Sequence, residues 1–375
     1  MNQRETSDNS EESQETTEPP LIVSHADLAP VHHLAQQLIE QLRDIPDGDM
    51  VSEIIDNAMK LLRDQTNRGD IKLINTAFKE LRYALKIFAP YRDVRKVSIF
   101  GSARTPETHL DYRRAAEFAK KMAAAGWMVI TGAGGGIMAA GHGGAGPEPS
   151  FGLAIRLPFE QKTNKIIAND KKLVNFKYFF MRKLMFVRSS HAIALFPGGF
   201  GTMDEGFEVL TLVQTGKSVP LPIVFIDSPG GDYWKQWQAY VQDQLVSRGL
   251  VDESDLRLYK ITDSIDDAVN EIRHFYSNFH SLRHTREEMV IRLHHPPTKS
   301  EIAEIESQFS DLRDGGAFRA TAALPVERDE PALAELPRLA FPFNRRDHGR
   351  LRALIDYLND LHPSNPQATE SIPGR

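Results

Sequence analysis

The chain has 375 residues, 41% of them hydrophobic and 26% charged, with a formal net charge of −6 and no cysteine. That length allows one sizeable core and a smaller unit. The missing cysteines exclude disulfides, a thiol nucleophile and zinc held by thiolates. Basic residues are scattered through an acidic chain, which offers nucleic acid no general attraction, and no apolar run approaches the roughly 18 residues of a bilayer span. Neither a nucleic-acid nor a membrane partner is expected. The polar, acidic start lacks the basic and apolar segments of a secretory signal or transit peptide, so a cytoplasmic location is expected.

Residues 1–20 are rich in Glu, Ser, Thr, Asn and Gln and are expected to be disordered. From His32 to Ala89 apolar residues recur at helical spacing, as in Leu34, Leu38 and Leu42, then Ile54, Ile55, Met59 and Leu62, then Ile74, Phe78 and Leu81. A helical N-terminal extension over 21–92 follows, as a packing layer or dimer arm rather than a separate binding module.

The core begins at Lys96. KVSIFG reads as a first strand, and GSAR supplies a turn where Ser102 is either an ordinary turn residue or a donor to a phosphate or ribose hydroxyl. A helix from Asp111 to Ala125 and a strand from Trp127 to Thr131 lead into a second glycine loop, Gly132 to Gly136, with Gly134 and Gly135 inside it. One such loop serves close packing as readily as ligand binding; two in one sheet suit a shared ligand crevice better. Strands are predicted at Phe151–Leu157 and Lys172–Phe176.

Arg182 lies in KYFFMRKLMFVR, a helical stretch apolar on nearly every side. A cation there reaches the surface, pairs with a core carboxylate or meets a ligand. Ala192 to Phe196 then reads as a buried strand, and Pro197, Gly198, Gly199 and Gly201 form a sharp turn. Thr202 is predicted to open a helix with apolar residues at Phe207, Leu210 and Val213 that stops at Gly216. A helix N-terminus behind a glycine loop is a seat for phosphate. Glu205 has two readings: the reciprocal carboxylate of a Thr202–Glu205 capping box, or a carboxylate held beside a phosphate sugar.

Further elements are a strand at Ile223–Ile226, a helix from Tyr233 to Arg248, a strand near Tyr259 and a helix from Ile265 to Phe279. After Ser281 come strands at Met289–Leu293, Phe318–Leu324 and Arg338–Phe343, with helices at Lys299–Leu312 and Arg346–Leu361. His294 and His295 suit a solvated loop edge better than a metal site, because neighbours on a strand point to opposite faces. Residues 363–375 are expected to be a loose tail. The fold class is therefore α/β: a Rossmann-like doubly wound parallel sheet over 93–280, with the helical extension before it and a small α+β domain over 281–362 after it. No acidic residue follows the first glycine turn at the end of a second strand, so a mononucleotide fits better than a dinucleotide.

PGGFGTMDE, preceded by MRK at Met181 to Lys183, resembles the PGGxGTxxE signature of the LOG family, the nucleoside 5′-monophosphate phosphoribohydrolases. Phe100 to Ala103 resemble the family's first strand and turn, TGAGGGIMAAGHGGA at Thr131 to Ala145 its second glycine motif, and LPFEQKTN at Leu157 to Asn164 a segment of its longer members. The resemblance spans about Lys96 to Phe279. It departs where longer members carry a Glu after the Ile-Met pair and an Asn three residues on; here Ala139 and His142 stand there. The label lysine decarboxylase, also carried by members, finds no lysine in a context for a pyridoxal phosphate Schiff base.

The resemblance implies hydrolysis of the N-glycosidic bond of an AMP-like or modified purine nucleoside 5′-monophosphate, with Arg182 and Glu205 catalytic. Ser102, Gly132, Gly134, Gly135, Gly136, Lys183, Gly198, Gly199, Gly201 and Thr202 would bind substrate. It implies no metal or organic cofactor, and a homodimer or larger homo-oligomer. A non-catalytic nucleotide sensor on the same fold is the alternative.

Overall fold

In a computed structural model of the chain, residues 25–156 and 163–362 are described. The acidic start, the tail after 362 and most of the LPFEQKTN segment, residues 157–162, lie outside them. The chain divides into two units, Met1–Phe78 and Lys79–Arg375. Helices α1 (His25–Leu42), α2 (Gly48–Arg63) and the first half of α3 (Arg68–Phe88) make the first. Their ranges follow the three apolar series read from the sequence. Among the described residues no helix is long and apolar enough to cross a membrane.

The second unit begins with the end of α3 and contains a seven-stranded, wholly parallel sheet. In chain order its elements are β1 (Lys96–Phe100), α4 (Leu110–Ala124), β2 (Met128–Thr131), α5 (Ile137–Ala145), β3 (Ser150–Ile155), β4 (Leu173–Phe176), α6 (Phe179–Ser189) and β5 (Ala192–Leu195). Then follow α7 (Phe200–Gln214), β6 (Ile223–Ile226), α8 (Tyr233–Tyr240), β7 (Tyr259–Thr262) and α9 (Ile265–His274). The strand order is β4-β3-β2-β1-β5-β6-β7. The chain winds outward from β1 to one edge, returns to β5 and winds to the other. That reversal puts a topological switch point between β1 and β5, where open α/β sheets bind ligands outside the strands' carboxyl ends.

Both sheet faces are covered, which is why the strands read as continuous apolar runs rather than alternating ones. Val97, Ile99, Val129, Ala194 and Val224 face one buried cluster with α4, α5 and α9. Phe100, Ile130, Leu153, Ile193 and Phe225 face a second with Phe88, Phe186, Val209 and Trp234.

Beyond this sheet a four-stranded antiparallel sheet is built from β8 (Phe279–His284), β9 (Met289–Leu293), β10 (Arg319–Thr321) and β11 (Arg338–Phe341), in the order β10-β11-β9-β8. Helices α10 (Lys299–Phe309) and α11 (His348–Leu361) accompany it. Phe279, Ile291, Leu339 and Leu354 belong to the same buried cluster as Val97 and Phe118, so the two sheets share a core. Arg292, Arg338 and Glu327 are buried together in the smaller sheet, with Arg292 Nη2 2.7 Å and Arg338 Nε 3.3 Å from the Glu327 carboxylate.

Several predicted boundaries are corrected. The helix expected from Ile265 to Phe279 ends at His274, because Phe279 starts β8 and pairs with Leu293. The helix expected from Tyr233 to Arg248 is α-helical only to Tyr240 and continues as a π-helical turn over Val241–Val246. The strand expected over Phe318–Leu324 shrinks to Arg319–Thr321.

Candidate functional site

Helix α7 carries the central group. Its buried positions include Thr202, Glu205, Val209 and Val213, a spacing of three and four residues that faces the sheet. Glu205 thus occupies a core position, 4% exposed, and a carboxylate there needs partners. The capping-box reading fails: the helix starts at Phe200 with Gly199 as its N-cap and without a side-chain cap, so Thr202 stands inside the first turn rather than opening it. Thr202 N and Met203 N both donate to the Gly199 carbonyl, at 3.0 and 3.1 Å.

The partners come from α6. Arg182 Nη2 is 3.6 Å from Glu205 Oε1, and Lys183 Nζ is 3.5 Å from Oε2. Neither distance is a hydrogen bond. Lys183 stands closer to Asp204 and Glu208, at 3.0 and 2.6 Å, both ion pairs without hydrogen-bond alignment. Burial pushes the Glu205 carboxyl above its ordinary value, while Lys183 and Arg182 pull it back. Burial also lowers Arg182, partly offset by Glu205 and Asp204. The guanidinium lies 4.9 Å from the ring centre of Phe179 and 5.8 Å from that of Phe186, its i−3 and i+4 neighbours. The cation is therefore oriented, and among the described residues its buried Nε has no hydrogen-bond partner.

These groups line a cleft of about 840 Å³ at the switch point. After β1 it is lined by Gly101, Ser102, Ala103 and Arg104; after β2 by Gly132 and Met138; after β5 by Gly198 to Met203 and Glu205; α6 adds Phe179, Arg182 and Phe186. Two backbone bonds pin the β1 and β5 turns together, Phe196 N to Phe100 O at 2.8 Å and Ser102 N to Pro197 O at 3.0 Å. Gly198 is required in this crossing, since a Cβ on it would lie 2.1 Å from Thr202 Oγ1 and 2.9 Å from Ser102 N.

Of the residues singled out in the sequence, Ser102, Gly132, Arg182, Gly198, Gly199, Gly201, Thr202 and Glu205 meet in the cleft. Gly134, Gly135, Gly136 and Lys183 are not part of its lining. Gly136 instead packs under the β1 turn: its φ is +59°, and a Cβ there would lie 2.2 Å from Ser102 O. Lys183 serves the three carboxylates of α7. Ser102 Oγ accepts from Arg104 N at 3.1 Å, a turn role that leaves the hydroxyl proton available.

Sequence reasoning missed Tyr233, Phe179, Phe200 and Arg104. Tyr233 follows β6 and donates its hydroxyl to the Gly198 carbonyl. In a trans peptide C=O and N–H point oppositely, so this bond also fixes the Gly199 N–H. The carboxyl end of a sheet strand was the available signal. Phe200 is 97% exposed at the first position of α7, a placement no periodicity shows. Among the described residues no group of three or more His, Cys, Asp or Glu is arranged to hold a metal ion.

Residues 135–272 match the family model described as possible lysine decarboxylase. The matched span contains Arg182, Lys183, the PGGFGT turn and Glu205, and leaves out Ser102, Gly132 and Gly134. No curated protein matches the sequence. Among solved structures, a molybdenum cofactor binding protein from the phototrophic bacterium Rippkaea orientalis is 18% identical, with 48% of this chain and 96% of that one covered at a TM-score of 0.35. The molybdenum cofactor carrier protein of Chlamydomonas reinhardtii is 19% identical over 48% and 96%, TM-score 0.34. The DNA processing protein A of Helicobacter pylori, titled for single-stranded DNA binding, is 15% identical over 49% and 81%, TM-score 0.34.

Proposed function

We propose that this chain hydrolyses the N-glycosidic bond of a nucleoside 5′-monophosphate, a reading supported by the match of residues 135–272 to the family model described as possible lysine decarboxylase and by the resemblance to the LOG proteins. Water and the nucleotide give free base and ribose 5-phosphate. The observation that carries this reading is the pairing of Glu205 with Arg182, whose Nε has no partner among the described residues, beside a helix N-terminus in one cleft.

The Gly198–Thr202 turn and the first amides of α7 receive the 5′-phosphate, with the helix dipole favouring the dianion. Arg182 donates to the substrate and holds Glu205 in place. Anchoring the phosphate fixes the ribose against the carboxylate. Cleavage builds positive charge on the ribose, which an ionised Glu205 stabilises while orienting the attacking water. Burial raises this carboxyl, and the pull of Lys183 and Arg182 works against that rise in favour of the ionised form.

The test is chromatographic: a panel of purine, pyrimidine and modified-base 5′-monophosphates, AMP first, with the matching nucleosides as controls. Release of base and ribose 5-phosphate from at least one monophosphate, and far less from its nucleoside, is expected. Binding without release would assign the chain to non-catalytic nucleotide sensing instead.

A further inference from the structure

The second glycine loop leaves β2 through Ala133, whose φ of +63° lies in the left-handed region. An L-residue stays there only when its surroundings hold it. Three hydrogen bonds do so. Ala133 N donates to Thr131 Oγ1 at 3.0 Å, Asn164 N donates to the Ala133 carbonyl at 2.9 Å, and Asn164 Nδ2 donates to the Gly134 carbonyl at 3.0 Å. Asn164 therefore clamps two successive loop carbonyls, and what orients Asn164 is a buried histidine.

His142 stands on α5, fully buried. Its Nε2 is 2.9 Å from the Phe151 carbonyl of β3 and 3.1 Å from Thr131 Oγ1, and its Nδ1 is 3.0 Å from Asn164 Nδ2 and 3.3 Å from Asn164 Oδ1. A carbonyl oxygen can only accept, so the ring proton belongs on Nε2. Nδ1 is then bare and accepts from the Asn164 amide, whose second proton serves Gly134. Burial lowers the imidazole's proton affinity and favours this neutral form. In this arrangement the nearer amide nitrogen serves both Nδ1 and the Gly134 carbonyl, while Asn164 Oδ1, 3.3 Å from the bare Nδ1, makes no bond to the ring.

We propose that His142 is a positioning residue, a neutral imidazole with its proton on Nε2 that fixes Asn164 and through it the Ala133–Gly134 turn on the β2 side of the nucleotide cleft. Gly132 and Met138, on either side of that turn, line the cleft. The network supplies a role for a residue that departs from the motif this segment otherwise resembles. Its effect on ligand rests on the nucleotide reading above; its tautomer and its effect on loop order do not.

Nitrogen NMR of the histidine-labelled full chain should show His142 with a bare Nδ1 and a protonated Nε2 across neutral pH. The opposite tautomer, or a charged ring, would overturn the proposal. His142→Gln can both donate to Phe151 and accept from Asn164, so it should keep AMP affinity within about threefold and keep the Ala133 amide protected from exchange. His142→Leu can do neither; it should weaken AMP about tenfold and speed Ala133 exchange, as expected for losing a buried hydrogen-bonded link. Should the leucine variant not fold, half-buried Asn164→Ala cuts the same link and carries the same expectation. A folded His142→Leu or Asn164→Ala protein with wild-type Ala133 protection would refute the role. If wild-type protein fails to bind AMP, the nucleotide reading falls, while the tautomer and exchange results still decide this one.

Discussion

Arg182 and Glu205 stand 3.6 Å apart on facing turns of α6 and α7, close enough to sense each other's charge and too far to satisfy each other's hydrogen bonds. A structural ion pair buried this deeply needs tight geometry to offset desolvation. This looser pair keeps donor and acceptor capacity for a third group, and two predictions turn on it.

Glu205→Gln keeps the shape of the side chain and removes its charge. Turnover of the accepted monophosphate should fall by ~10² or more while nucleotide affinity stays close to wild type, since the lost interaction is made mainly in the transition state. Melting temperature should not fall at neutral pH. The folded carboxyl titrates above its unfolded value, so the native state holds more protons in that window and stability drops as pH rises through it; the neutral amide avoids that loss. Retention of most activity would move the chemistry to another group in the cleft.

Lys183→Met addresses the same carboxyl without touching the cleft lining. Lys183 is the largest charge holding Glu205 down against burial. Its removal raises the Glu205 pKa further, and if, as proposed, the ionised form is the active one, the acid limb of the rate profile should move to higher pH. An unchanged acid limb would separate Glu205 ionisation from the rate.

Gly136 and Gly199 should respond oppositely to alanine. Gly136 has a positive φ and a Cβ there collides with Ser102 O, so Gly136→Ala should destabilise by about 1–3 kcal/mol or more and impair ligand binding. Gly199 has φ −90° and open space around its Cβ position, so Gly199→Ala should fold with a normal melting temperature. Thermal melts of the two proteins check the contrast.

Glu327 is the carboxylate shared by buried Arg292 and Arg338. Glu327→Ala leaves both cations without it and should cost about 3–5 kcal/mol in denaturant unfolding. Burial raises its carboxyl, but the Leu324 amide and the two arginines outweigh that and hold it below the ordinary value. Its stabilisation is therefore complete above the unfolded glutamate pKa and lost as pH falls through the lower folded one. The gap between variant and wild type should close on acidification.

Phe179, Phe180 and Leu184 on α6 and Phe200 on α7 are exposed apolar side chains on the elements that carry Arg182 and Glu205. Such grouping fits self-association. Light scattering should show no monomer at working concentration, and Phe180→Asp should shift the distribution toward one. A wild-type monomer would refute self-association through this face.

The amino-acid sequence by itself determined the alternation of strand and helix. Apolar runs such as Ile223–Ile226 and the helical spacing from Leu110 to Ala124 are local patterns, and PGGFGT announces a tight turn because glycine alone tolerates the crossing at Gly198. Tertiary structure decided where elements stop and which polar atoms meet. Pairing of Phe279 with Leu293 turned an expected helix end into β8, and the extended backbone of Gly199 moved the start of α7 ahead of Thr202. The bonds from Tyr233 to Gly198 and from His142 to Asn164 join residues far apart in the chain. No spacing rule encodes them, because a hydrogen bond depends on where two elements pack, to within a few tenths of an ångström, and that is fixed by the whole core at once.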